Sequence, residues 1–290
     1  MKRILYFFCL ILFIHLLPSC AKNLDQPAYL EIKPWKLEAN PLLNNGDGEL
    51  THYFTDAWVY IDDALVGVFE LPCKVPVVKQ GKHRVTIFPT VRNNGIAQTK
   101  KIYPFAEEYI HEFDFDKGKS IVINPVTRYK QNTVFNFVED FEAASMKIMN
   151  DPTSKTSLQQ VAHTDAGRTG HCGLISLTTV DSIWTGNTHA DLVLPKTGSE
   201  VYLEIDFKNT NRMLTGVLAI DQNNQTKIHP YVYLAAQTTF PVWKKAYIDL
   251  REIVSYSTDA AFFEIYFQAI IPSSLSSSYV YIDNVKVIHF

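Results

Sequence analysis

Apolar and polar side chains alternate with a period of two along most of this chain, the pattern of β-strands that turn one face to a core. Tyr109, His111, Phe113 and Phe115 fall on one face of such a strand, with Ile110, Glu112 and Asp114 on the other. Asp116-Lys117-Gly118-Lys119 then offers turn chemistry ahead of Ser120-Ile121-Val122-Ile123, which predicts a hairpin. Val201, Leu203, Ile205 and Phe207 alternate in the same way with Tyr202, Glu204, Asp206 and Lys208. Asp221-Gln222-Asn223-Asn224 separates two further strand-like segments, 214–220 and 227–234. Helical spacing is confined to a turn or two near Arg251–Ser255. Short strands divided by such turns predict an all-β protein built as sandwiches or barrels.

The amino terminus breaks this pattern. Lys2 and Arg3 precede an apolar run, Ile4 to Leu17 with His15 inside it, which stops at Leu17-Pro18-Ser19-Cys20. A basic start, a run of this length and a small residue before the break describe a secretory signal. The run falls short of the roughly 20 apolar residues that a spanning helix takes. A second boundary lies near 124–132, where Pro125 closes one strand and Arg128-Tyr129-Lys130-Gln131-Asn132 precedes Val134-Phe135-Asn136-Phe137. The expected organisation is a signal at 1–19, a tether at 20–28, and two β-sandwich domains in tandem at 29–130 and 131–290.

Leu-Pro-Ser-Cys resembles the lipobox of bacterial lipoproteins, in which the peptide is cut before the Cys and that residue takes acyl chains. The resemblance implies that Cys20 is lipidated and holds the chain to the bacterial envelope, at the outer membrane. An ordinary secreted protein with an incidental Cys20 is the competing reading. Formal charge is −3, and loss of Lys2 and Arg3 with the signal takes it to −5. A mildly acidic chain lacks the footprint of a nucleic-acid binder. It also lacks the polybasic cluster that would hold it on anionic lipid, so attachment would rest on the acyl chains, at about 0.8 kcal/mol per buried CH₂. Cys73 and Cys172 lie about 100 residues apart, in different expected domains. An even pair in an exported chain invites a disulfide; the competing reading, which their separation favours, is two buried thiols packed as small hydrophobes.

In the first domain, 57–67 reads as strand, tight turn, strand, with Asp62-Asp63 at the turn. Leu71-Pro72-Cys73-Lys74-Val75-Pro76-Val77 follows, then Gly81-Lys82-His83-Arg84-Val85 opening another strand. This order resembles PEGA-type surface domains over about residues 55–90, with Asp63 where that family often has Gly. The resemblance implies a small sandwich acting as spacer or docking module. Gly81 supplies the positive φ that a turn wants.

The second domain opens with Val134–Glu142, carries Trp243-Lys244-Lys245-Ala246-Tyr247-Ile248-Asp249-Leu250 late, and ends in Tyr281-Ile282-Asp283-Asn284-Val285. The order resembles the jelly-roll carbohydrate-binding modules, the galactose-binding type of fold. The resemblance implies a non-catalytic glycan-binding domain with Trp243 in its core and a structural Ca²⁺ near the join of first and last strands. The matching acids are Glu139, Asp140, Glu142 and Asp283. Val280 and Ile282 share one parity and Val285 and Val287 the other, so the strand changes phase across Asp283-Asn284, as a β-bulge would make it.

Sugar binding needs an aromatic platform beside hydrogen-bonding groups. Trp184, expected in a loop with Asp181, Asn187 and His189 in reach, is the candidate platform, and Tyr231 and Tyr233 are expected to share one strand face. Asp181-Ser182-Ile183 also resembles the O-glycosylation motif of Bacteroidota. Glu204-Ile205-Asp206-Phe207-Lys208-Asn209 is similar to the catalytic strand of jelly-roll β-glucanases, but Asn209 stands where the acid/base Glu would be, and an amide cannot cycle that proton. Glu204 and Asp206 are therefore expected as solvated acids at a strand edge, and no enzyme is expected. The alternative function is a structural or assembly lipoprotein that contacts other envelope proteins.

Overall fold

The computed structural model describes residues 26–43, 46 and 48–290. The signal, Cys20 and most of the tether lie outside the described residues. The rest of the chain is nearly all strand, in two sheet-built bodies.

The first body holds β1 (Ala28–Ile32), β2 (Lys36–Leu37), β3 (Asp56–Ile61), β4 (Ala64–Glu70), β5 (Cys73–Val77), β6 (Gly81–Arg92), β7 (Lys100–Ile102), β8 (Tyr109–Phe115), β9 (Ser120–Ile123) and β10 (Val126–Thr127). β4, β3, β6 and β7 form a sheet in that order, with β8 also beside β6; β5, β1 and β9 form a second. β2 pairs with β10. Asp62 and Asp63 make the two-residue turn between β3 and β4, both with positive φ, at 50° and 62°. A turn of that type suits the twist of a hairpin, and Asp tolerates it in place of Gly. Gly81 takes φ +84° where β6 opens.

One sequence expectation is corrected here. Residues 116–119 do turn, with the Lys119 amide donating to the Asp116 carbonyl, but the flanking strands are not a hairpin. β8 pairs with β6, while β9 runs parallel to β1 in the other sheet. The turn carries the chain across the sandwich, so that Phe115 and Ile123 enter the same apolar cluster from different sheets. Alternation gives the buried face of each strand and not its partner.

The second body holds β11 (Val134–Glu139), β12 (Met149–Asn150), β13 (Leu158–Ala162), β14 (His171–Thr178), β15 (Ile183–Asn187), β16 (Val201–Asn209), β17 (Met213–Asp221), β18 (Thr226–Leu234), β19 (Lys244–Asp249), α1 (Arg251–Tyr256), β20 (Ala260–Ile270) and β21 (Ser277–His289). One sheet has the order β13-β14-β21-β16-β19, with β11 also on β21. The other has the order β12-β15-β20-β17-β18. β17 and β18 form the hairpin expected at 221–224, where the Asp221 carboxylate accepts the amides of Asn223 and Gln225, both at 2.8 Å. The single α-helix assigned among the described residues is α1, where helical spacing was read.

The phase change in the last strand is a bulge. Glu204 pairs with Lys286 and Asp206 with Asp283, so Ile205 alone opposes Asn284 and Val285. Asn284 takes φ 47°. The extra residue lets Val280 and Ile282 face the core before it, and Val285 and Val287 after it.

The two bodies share apolar surface. Tyr202, Tyr247 and Ile288, from the second, belong to the core cluster of the first. The Tyr53 amide donates to the Tyr247 hydroxyl at 2.9 Å, and the Asp249 amide donates to Asn94 Oδ1 at 2.8 Å. Burial of that extent couples the bodies, because either one alone would expose the shared cluster to water. Calorimetry is therefore expected to show one unfolding transition; two well-separated endotherms would contradict a shared core.

Candidate functional site

The residues proposed from sequence as a sugar site do not meet. Trp184 lies in β15 rather than in a loop and is fully buried in the core of the second body. Its indole N–H donates to Asn150 Oδ1 at 2.7 Å. Gly186, two residues on and on the same strand face, makes room for it: a Cβ there would stand 2.5 Å from the indole. That glycine was the available signal. Trp184 is thus corrected from platform to core. Asp181 is exposed in the turn between β14 and β15, its amide donating to Thr178 Oγ1. His189 is exposed beyond the end of β15 with φ 39°. Tyr231 and Tyr233 are separated by a bulge: Val232 pairs with Thr215 and Pro230 with Gly216, leaving Tyr231 as the extra residue. Tyr231 packs partly against the core, and Asn94 Nδ2 donates to its hydroxyl at 3.3 Å. Tyr233 is exposed, with the Arg212 guanidinium 4.9 Å from its ring centroid.

Asn187 belongs to a new constellation on the outer face of its sheet. It points away from the core, since β15 alternates and Trp184 points inward. It pairs with Tyr266, which pairs in turn with Gly216. The next row is Glu264, Leu218 and Ile228, and the next Phe262, Ile220 and Thr226. These rows floor a groove of about 380 Å³ on the outer face of the five-stranded sheet. Asn187 Nδ2 donates to Glu264 Oε2, fixing the carboxylate at the groove's middle. Burial holds the Tyr266 hydroxyl above its ordinary pKa. Gly216 is required beside it: at the bulge, a Cβ would come within 2.4 Å of the His229 carbonyl oxygen. The strand 260–270 was legible, with Phe263, Ile265 and Phe267 inward; the role of Glu264, a lone acid in an apolar strand, was the missed signal.

The four acids read as a calcium set are dispersed. Glu139 accepts the amides of Phe141 and Lys147, closing a loop. Asp140 accepts the Glu142 amide, and Glu142 accepts the His171 amide at 2.6 Å. Asp283 is held instead by His163 at 3.0 Å and Arg168 at 3.4 Å. Among the described residues, no group of three or more His, Cys, Asp or Glu is placed to hold a metal ion. The arrangement does not fit the shell of about six to eight oxygens that Ca²⁺ takes.

Glu204 and Asp206 also differ from expectation. They do share one face of β16, but that strand is interior to its sheet and the face is covered by the first body. Glu204 Oε2 is 3.0 Å from Lys245 Nζ, and Asp206 Oδ1 is 3.3 Å from it. The hydroxyls of Tyr103 and Tyr129, from the first body, both donate to Glu204. Burial would lower the pKa of Lys245, but Asp206 and Glu204 outweigh it and hold the ammonium charged. Trp243, expected in the core, is only half-buried and caps this cluster. Arg168 lies 4.3 Å from its ring centroid, and its N–H donates to Asp165. Cys73 and Cys172 are free thiols, the first only partly buried.

No family model matches the chain, and no curated protein does. Solved structures give likenesses in shape. The xylan-binding domain of a Paenibacillus barcinonensis protein matches with a TM-score of 0.41 at 14% identity, over 53% of this chain and 99% of that one. A family 22 carbohydrate-binding module of Clostridium thermocellum gives 0.36 at 11%, over 53% and 92%. The enzymatically active domain of a tailspike protein from bacteriophage CBA120 gives 0.40 at 17% over 58% of this chain, which spans only 23% of that one.

The buried acids set a pH dependence. Burial pushes the Asp283 carboxyl up to about 8, with Asp206 and Glu49 adding to the rise against the Asn284 amide and Arg168. Its folded pKa lies above its unfolded one, so its contribution is full at low pH and is lost as pH rises towards 8. Burial and Arg168 lower the pKa of His163, so that group destabilises the fold only as pH falls through its ordinary range near 6.5. Between pH 6.5 and 8 the decline therefore belongs to Asp283, at up to ~1.4 kcal/mol per pH unit. Asp283→Asn is expected to flatten the slope of denaturation free energy in that window; equal slopes in both proteins would contradict it.

Proposed function

We propose that the second body binds a neutral glycan, without transforming it, in the groove on the outer face of the five-stranded sheet. The observation that carries this reading is the Asn187–Glu264 pair set among Tyr266, Phe262 and Leu218 on the groove floor. A sugar ring needs an apolar surface for its C–H face and oriented acceptors and donors for its hydroxyls. Glu264 supplies the acceptor, and Thr185 and Asn187 the adjoining polar rim. Glycan arrays probed with the full-length protein in detergent test this. Glu264→Ala and Asn187→Ala are expected to weaken retention about tenfold each, the scale of a lost charge-assisted hydrogen bond. Retention of no neutral glycan, or equal retention by both variants, would overturn the reading.

The same proposal places the protein on a bacterial envelope through acyl chains on Cys20, with the first body as spacer. The basic start, the apolar run and Leu17-Pro18-Ser19-Cys20 support it. Mass spectrometry of protein recovered from membranes is expected to find an acylated amino-terminal Cys20, and an unmodified Met1 would count against the anchor.

A further inference from the structure

A second hollow, of about 440 Å³, lies where the two bodies meet. Tyr53, Arg92 and Asn94 wall it from the first body, and Tyr233, Phe240 and Lys244 from the second. Aromatic surface is open there: Phe240 is 84% exposed, Tyr233 54% and Tyr53 40%. Single exposed aromatics are ordinary, but three around one concavity make a stacking surface.

Its charge has one sign. Among the described residues, no Asp or Glu lines it. Lys245 at its floor is already neutralised by Glu204 and Asp206. The ammonium of Lys244, in contrast, has no ion pair or hydrogen bond among the described residues. Arg92 is only loosely held, 3.5 Å from Glu70 and 4.0 Å from Asp56, and its buried Nε–H has no acceptor. A concave wall carrying one sign of charge concentrates ligands of the other.

We propose that this hollow binds an acidic sugar residue, its apolar face against Phe240 and its anionic group on Lys244, with Arg92 as the other cation on the wall that is not neutralised at close range. The shared chemistry is a pyranose bearing a carboxylate or a sulfate ester. The site is separate from the groove on the sheet face and does not depend on it.

Affinity electrophoresis of the full-length protein in detergent at low ionic strength tests the assignment. The probes are polygalacturonate, dextran sulfate, neutral dextran and poly-L-glutamate. One or both acidic polysaccharides are expected to retard the protein, and which one does so distinguishes carboxylate from sulfate. Lys244→Ala and Phe240→Ala, both at exposed positions, are each expected to weaken that retention about tenfold. Glu264→Ala is expected to leave it unchanged, so a failed sheet-face site would not register here. Three results would overturn the proposal: no retardation by either acidic polysaccharide, retardation that both variants keep, or equal retardation by poly-L-glutamate, which would mean charge alone.

Discussion

An ammonium ion sealed from water between two carboxylates constrains this whole molecule. Lys245 sits against Glu204 and Asp206, with Thr51 as a further acceptor at 3.1 Å. Removing one partner of a buried ion pair typically costs about 3–5 kcal/mol, because the remaining charge is left in a medium of low polarity. The cluster is satisfied only with the first body in place. Tyr103 and Tyr129 supply the hydroxyls on Glu204, and the loop carrying Thr51 and Glu49 supplies partners for Lys245, Asn284 and Lys286. The relative placement of the bodies is thus fixed by polar satisfaction as much as by apolar area.

That placement decides where recognition can occur. A two-sheet sandwich has two outer faces. Here the face of the sheet holding β16 and β21 is covered by the first body, which takes the Glu204 carboxylate through Tyr103 and Tyr129. The face of the sheet holding β20 and β17 is left to solvent along the rows of Asn187, Glu264 and Phe262. Since both sheets give their inner faces to one core, the outer rows of the uncovered sheet can meet a ligand without unfolding anything. The polar groups on those rows are few and fixed, as the proposed recognition of a glycan requires.

How much of this was legible depended on the range of the interaction. The bulge at Asp283-Asn284 was readable because it is local: the core parity of Val280 and Ile282 changes to that of Val285 and Val287 within one strand. The hairpin at Asp221–Asn224 was readable for the same reason. The sequence puts Glu204 and Asp206 on one shared face but leaves their burial unread, because period-two alternation does not say what covers a face. A strand buried on both sides by different partners looks from sequence like a strand half in water. Trp184 failed on another ground. The polar residues around it suggested a loop, while Ile183-Trp184-Thr185 is a strand whose indole needs the space left by Gly186. The calcium set failed because alignment of four acids along the chain does not make them converge.

Lys244 and Lys245 show the same principle in two neighbouring residues. Their identity and charge are the same, and β19 turns them to opposite sides. Lys245 enters the junction and meets two carboxylates, which hold its proton against the pull of burial. Lys244 pairs in register with Phe207, at the open end of the sandwich, and meets none. The junction's acids are already matched by Lys245 and Arg168, so its stability makes no demand on Lys244. A cation that folding does not use, held beside exposed rings in a concavity that no described Asp or Glu lines, is available for a ligand brought from outside.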